Sequence, residues 1–476
     1  MTASLARLVF PSLRWRRRTG FAHERPKIDA ALRAGVGGFI LFGATREAVT
    51  ALTRGLREQA GRPLLIGADL ERGAAQQIAG LTDLPTLGAL GYVNDLDATH
   101  AVALITALEA RAVGVNWNFA PVCDLDVEPS NPIVQTRAFG ADPARVGAHA
   151  AAYVCGSQEH GVLACAKHYP GHGRTTIDSH EALPVVPAAA QVLRRVDAAP
   201  FAQAVGAGVG SVMSAHVAYP AWSPGGRAAT FAPEILGYLR DDLRFDGLVV
   251  TDALIMAGAL AAHAETGATV AAVAAGCDVL LYPRDFGSVI AALDRAVGKA
   301  LPVARADEAL ARYERAVATW GRADVAPAEF DAAAHQAFAD GLAGRSLHTV
   351  RGEPPKLAGP FEVPIVDDDV GGPYTVGPRD IFAATLRDAG VPIVQRETGN
   401  VQRILALYSE PRSRKGRANL GPRTLRALER LAPRAALVVL FGHPRLAAQI
   451  PGTAPVLCAW HGQPLMQRAA ARWILR

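Results

Sequence analysis

Gly161-Val162-Leu163-Ala164-Cys165-Ala166 runs directly into Lys167-His168-Tyr169-Pro170-Gly171-His172-Gly173-Arg174-Thr175-Thr176-Ile177-Asp178-Ser179-His180. The apolar run predicts a buried strand, so the polar cluster begins where that strand ends. Pro170, Gly171 and Gly173 break regular structure and let the backbone turn sharply. Three histidines, a lysine and an aspartate thus share one loop. Singly, such residues cap helices or fill hydrogen bonds in ordinary loops; together they point to a loop that holds polar groups for use. His168, His172, Asp178 and His180 are also metal-ligand types. The one His-x3-His pair, His168 and His172, is interrupted by proline and glycine, and no metal is expected.

Outward from this strand, short apolar runs alternate with alanine-rich segments of helical period. The predicted strands are Arg7–Phe10, Gly38–Phe42, Leu64–Gly67, Gly114–Asn118, Leu163–Ala166, Ser211–Ser214, Leu248–Thr251 and Asp278–Leu281. This α/β pattern predicts a (β/α)8 TIM-like barrel, whose working side chains follow the strand ends. A doubly wound sheet is the competing architecture. Polar residues do follow the runs: Asp69 and Glu71, Asp124 and later Arg137, Lys167 and His168, His216, and Asp252.

With 476 residues, the chain exceeds the usual limit for a single core, and two domains are expected. Residues 301 to about 348 read as helices, and Arg351-Gly352-Glu353-Pro354-Pro355-Lys356 as a linker. Strand-like runs then recur at 363–366, 404–407, 437–440 and 455–458. The expected division is a catalytic barrel over 1–348 and a smaller α/β sandwich domain over 349–476, non-catalytic and supporting. His443 and His461 follow strands there and are candidate rim residues.

A formal charge of +5 is small for this length and predicts no nucleic-acid partner. Arg14-Trp15-Arg16-Arg17-Arg18 and Arg412-Ser413-Arg414-Lys415-Gly416-Arg417 are short basic clusters that could meet phosphates, though solvated loops are the simpler expectation. Cys123, Cys155, Cys165, Cys277 and Cys458 are odd in number and widely spaced, as expected of reduced cytoplasmic thiols. The N-terminal order does not suit a signal peptide, and no apolar stretch reaches the ~18 residues of a membrane span.

Asp252 lies in Gly247-Leu248-Val249-Val250-Thr251-Asp252-Ala253-Leu254-Ile255-Met256. An isolated aspartate there would cap the next helix, but at a barrel mouth it aims a carboxylate at substrate. Such a carboxylate can attack an anomeric carbon and form a glycosyl ester. The leaving oxygen then needs a proton, and His180 with Asp178 two residues before it forms a workable acid/base pair.

These motifs resemble glycoside hydrolase family 3, specifically its β-N-acetylglucosaminidases: Lys167 to Gly173 with Asp178-Ser179-His180, Arg137-Ala138-Phe139-Gly140 with Asp142, Ser214-Ala215-His216-Val217, and Phe245 through Gly258. The likeness covers most of the first 300 residues, and the second domain resembles the family's C-terminal domain more weakly. It implies a retaining mechanism in which Asp252 is the nucleophile and His180, paired with Asp178, the acid/base. It also implies that Asp69, Arg137, Lys167 and His168 hold the sugar. The implied substrate is terminal β-linked N-acetylglucosamine (GlcNAc), as in muropeptide fragments of cell wall, with no cofactor and no nucleic-acid or membrane partner. Oligomeric state is not legible in the sequence. The family's Asp-x-Glu-Gly-Gly motif and following arginine are altered to Asp69-Leu70-Glu71-Arg72-Gly73 with Gln76 and Gln77, so either sugar recognition near Asp69 is altered or Arg72 reaches in instead. Rival readings are a β-glucosidase, a β-N-acetylglucosaminide phosphorylase and a catalytically silent sugar-binding protein.

Overall fold

The computed structural model describes residues 4–261, 264–322, 329–353, 355–370, 376–394 and 401–476. Among the described residues, nine strands build the first domain: β1 (Val9–Phe10), β2 (Ser12–Arg14), β3 (Gly38–Phe42), β4 (Leu65–Ala68), β5 (Trp117–Asn118), β6 (Leu163–Tyr169), β7 (Ser211–Ser214), β8 (Leu248–Thr251) and β9 (Leu280–Leu281). From β2 to β8 each strand pairs in parallel with the next. A bridge from Val250 to Val279 continues the ring, and β9 pairs with β1, which Pro11 alone separates from β2. Counting β1 and β2 as one strand interrupted by proline, the ring is the closed eight-stranded barrel expected from the apolar runs. Several ends differ from the sequence reading: β6 continues through Lys167 and His168 to Tyr169 instead of ending at Ala166, β4 lies one residue later, and β9 begins only at Leu280. Leu5–Leu8 forms a 3₁₀ turn capped by the Ser4 hydroxyl, so the first strand begins at Val9. The fourth strand starts only at Trp117; just before it, the Asn116 side chain bonds the Leu64 and Trp320 carbonyls and the Ile66 N–H.

Every residue of β6 is buried. Its pairing with β7 shifts register between Lys167 and Tyr169. Such an irregularity re-aims side chains that strict alternation would send to opposite faces, and both Lys167 and His168 line the cavity at the barrel mouth.

The second domain contributes β10 (His348–Arg351), β11 (Phe361–Glu362), β12 (Ile365–Asp367), β13 (Ile393–Val394), β14 (Gln402–Ser409), β15 (Leu437–Gly442) and β16 (Val456–Cys458). Only β10 runs antiparallel, against β16. Arg351, expected in a linker, therefore ends a strand, and Pro354 of that linker lies outside the described residues. Alternation along the central strands feeds two faces. Ile404, Ala406, Tyr408, Leu437, Val439 and Phe441 enter one core, while Leu405, Leu407, Val438 and Leu440 enter the other.

The first of those cores does not stop at the domain boundary. It also takes Leu84, Leu87, Leu90, Val102, Phe139 and Val146 from the barrel side. Within the first domain, buried Glu109 ties the helix carrying His335 to the barrel, accepting hydrogen bonds from the Thr82 N–H at 2.7 Å and His335 Nδ1 at 2.8 Å. The two domains are thus sealed by a continuous apolar core, which orients the second domain's loops over the barrel mouth.

The loop after β6 is held against the β5 side by close contact. A Cβ on Gly173 would lie 1.9 Å from the Leu125 carbonyl oxygen, and the Asn131 amide donates to the His172 and Gly173 carbonyls at 2.9 and 3.2 Å. Gly173→Ala is expected to cost about 1–3 kcal/mol through backbone displacement, measured as a lower denaturation midpoint, with a parallel loss of activity.

Candidate active site

The barrel mouth and the second domain enclose a cavity of about 710 Å³, lined by Asp69, Glu71, Arg137, Lys167, His168, His180 and Asp252 among others. Of the seven residues given catalytic or sugar-binding roles, all but Asp178 line it directly, and Asp178 lies behind His180. A buried charge cluster organises one wall. Lys167, 2% exposed, places Nζ 2.8 Å from Asp69 Oδ1 and 2.8 Å from Glu71 Oε1. Arg137 grips Glu71 bidentately, Nε to Oε2 at 3.0 Å and Nη2 to Oε1 at 2.7 Å. Burial alone would push the Glu71 carboxyl up, but the charges of Arg137 and Lys167 outweigh it and hold the carboxyl well below its usual range. Their own values rise in return, against burial, through Glu71 on Arg137 and through Asp69 and Glu71 on Lys167. The segment carrying both carboxylates is fixed from β5, where Asn118 Oδ1 accepts the Leu70 N–H at 3.1 Å.

The histidines of the central loop have separate assignments. His168 Nδ1 lies 2.7 Å from Oδ2 of fully buried Asp124, and the other oxygen of that carboxylate accepts the His168 and His172 main-chain N–H groups. His172 is buried between Thr175 Oγ1 and Ser179 Oγ, at 2.8 and 3.0 Å, and burial pulls its imidazole down to about 4. His180 Nδ1 donates to Asp178 Oδ1 at 2.7 Å. Asp178 is 1% exposed. Its second oxygen accepts the main-chain N–H of Arg414, 2.6 Å away in the second domain. Burial would raise the Asp178 carboxyl, yet the bonds from His180 and Arg414 lower it.

Asp252 follows β8 and also borders the mouth. Burial opposes its ionisation, but the fields of His168, His216 and His180 and the Ala253 N–H, at 2.7 Å from Oδ1, bring its carboxyl down to about 2. His216 itself lines no cavity wall; it bonds Thr230 Oγ1 at 2.9 Å, and burial lowers its imidazole.

The wall opposite comes from the second domain, with Arg379, Glu410, Arg412, Ser413, His461 and Gln463. The sequence reading gave this domain a supporting role; in the structure it also lines the cavity. His443, by contrast, pairs with Asp126 at 2.9 Å away from the cavity. The expectation that the basic stretch 412–417 is a solvated loop is corrected. Arg412 and Ser413 face the cavity, Lys415 Nζ lies 2.7 Å from Asp369 and 3.1 Å from Asp368, and Arg417 bonds Asp368 at 3.0 Å. Internal acids, invisible as partners in the linear chain, neutralise it. Arg72 does line the cavity, tied to Asp83 at 3.3 Å and Gln463 at 2.9 Å, while Gln77 accepts the Gly43 N–H. Glu71 and Asp124 were visible after strand ends, but only the structure reveals them as the anchors of Lys167, Arg137 and His168.

The family model for the glycosyl hydrolase family 3 N-terminal domain matches residues 16–316. The protein belongs to glycoside hydrolase family 3. This glycoside hydrolase is 34% identical over 394 residues to a β-N-acetylglucosaminidase/β-glucosidase of Cellulomonas fimi, spanning 76% of this chain and 69% of that one. It is 38% identical over 285 residues to a β-hexosaminidase of Chromobacterium violaceum, covering 57% of this chain and 78% of the relative. Its structure superposes with a TM-score of 0.86 on a family 3 β-N-acetylglucosaminidase from Paenibacillus sp. str. FPU-7, at 27% identity, covering 99% of this chain and 95% of the other.

Glu71→Gln leaves two buried cations with one carboxylate, and a loss of about 3–5 kcal/mol is expected in denaturant unfolding. Because the folded-state carboxyls of Glu71, Asp252 and Glu410 are depressed, their contribution is complete above the ordinary 3.8 to 4.5 of the unfolded chain and fades as pH falls through the lower folded values. Thermal midpoints are expected to drop steeply from about pH 4.5 toward pH 2, and Glu71→Gln should flatten that slope.

Proposed function

We propose that the protein is a retaining exo-β-N-acetylglucosaminidase that removes terminal β-GlcNAc from cell-wall muropeptide fragments. The observation that carries the reading is the shared lining. Asp252, its carboxyl held low by the neighbouring imidazoles, and His180, held by buried Asp178, border the same cavity as the Lys167, Arg137 and Asp69 cluster. Relatives named as β-N-acetylglucosaminidase and β-hexosaminidase support the choice of sugar.

In this mechanism Asp69, Lys167, Arg137 and His168 grip the hydroxyls of the terminal sugar, through contacts that strengthen as the ring distorts. The Asp252 carboxylate attacks the anomeric carbon. His180 passes a proton to the departing oxygen, and the C–O bond to the leaving group breaks. Water then attacks the glycosyl ester, giving a proton to His180 and freeing Asp252. Asp178 keeps the imidazole oriented, as the acid of the first step and, once it has lost its proton, as the base of the second. Action in the cytoplasm is part of the same proposal, supported by five free cysteines of which four are buried.

Asp252→Asn is expected to lower turnover of an aryl β-GlcNAc at least about a thousandfold. His180→Ala is expected to slow alkyl leaving groups by about 10²–10⁴, with a much smaller effect on nitrophenol. An equal effect on good and poor leaving groups would refute the acid/base assignment, and faster release from aryl β-glucoside than from aryl β-GlcNAc would refute the sugar.

A further inference from the structure

A second cavity of about 140 Å³ shares Asp69, His180, Met213 and Asp252 with the larger one and adds Arg14, Arg414, Phe42 and Tyr282. Lys167, Arg137 and His168 do not line it. The two basic stretches near opposite ends of the chain each send one residue there.

Arg14 is a prepared cation. Its Nε donates to the Tyr282 hydroxyl at 2.8 Å, and its guanidinium carbon sits 4.1 Å from the centre of the Phe42 ring. Among the described residues neither Arg14 nor Arg414 forms an ion pair; the Arg14 main chain, not its side chain, bonds Glu24. The two carboxylates at the cavity are engaged elsewhere, Asp69 by Lys167 and Asp252 by the Ala253 N–H. A guanidinium placed over a ring and held at Nε by a hydroxyl, with both terminal nitrogens uncommitted among the described residues, suits binding of a carboxylate or phosphate.

We propose that this cavity is an oxyanion subsite on the leaving-group side of the glycosidic bond, with Arg14 as its anchor and Arg414 as its second cation. The inference rests on the assignment of His180 and Asp252 above. If the sugar lies against Lys167, Arg137 and His168, the proton from His180 enters the bond on the far side of the ring. The departing group, or the acceptor that replaces it, then occupies the space on the His180 side, which Arg414 borders and the sugar-gripping cations do not. Ile255, Met256 and Leu281 give that space an apolar floor, so a ring bearing one acidic group fits it. The oxyanion has two possible sources: a carboxylate on the leaving group, or inorganic phosphate acting as acceptor.

The full-length protein is tested with two aryl β-GlcNAc substrates matched in leaving-group acidity, one with a ring carboxylate. Native protein is expected to favour the carboxylate by about tenfold or more in kcat/KM, and Arg14→Gln to bring the ratio near one. Arg414→Gln, which keeps the main-chain N–H on Asp178, should reduce the ratio in part. Sugar 1-phosphate formed in the presence of inorganic phosphate, and lost in Arg14→Gln, would identify the acceptor as the source instead. Calorimetric titration with 4-hydroxybenzoate and with phosphate reads the subsite without turnover, and about tenfold weaker binding in Arg14→Gln is expected for at least one of them. Hydrolysis with no preference for the carboxylate, no sugar 1-phosphate and no Arg14-dependent anion binding would overturn the subsite while leaving the glycosidase intact. Absence of hydrolysis with Arg14-dependent anion binding would do the reverse.

Discussion

An ammonium group at the end of a strand buried along its whole length is tolerable only if its charge is met on the spot. Lys167 meets that condition through Asp69 and Glu71, and Glu71 meets its own through Arg137. Removing two charges from water costs several kcal/mol per ion, recovered only with good geometry and further hydrogen bonds. The requirement therefore fixes the loops after β4 and β6, and the turn at 135–137, in one relative placement. Neutralising Lys167 thus builds the cavity wall to which the proposed function gives the sugar.

Around that wall the electrostatics separate similar groups into different states. His172 and His180 are eight positions apart in one loop, yet the first is buried between hydroxyls and held neutral, while the second faces the cavity with a carboxylate behind it. Asp252 is flanked by imidazoles that keep it ionised. Burial would otherwise favour its neutral form.

Much of this was legible in the sequence. Apolar runs bounded by polar residues marked the barrel strands, because parallel strands buried on both faces must be continuously apolar. Residues following those runs, from Asp69 to Asp252, fell at the mouth because chain direction alone decides which end of a strand they occupy. Partnership was not legible. Glu71 and Asp124 carry no label distinguishing an anchor from a solvated acid, and the stretch 412–417 looked like surface because Asp368 and Asp369, which neutralise it, are more than forty positions earlier. Nor could periodicity show that Leu84, Phe139 and Met466 would share one core, since contact between domains leaves no repeat in either.

The main-chain N–H of Arg414 on Asp178 links the acid/base pair to a part of the chain made last. A ribosome that has released only the barrel has delivered the proposed nucleophile and the proposed sugar-gripping charges, but not the donor that completes the Asp178 carboxylate. On the proposed assignment, the acid/base pair gains its full set of hydrogen bonds only when the second domain has docked.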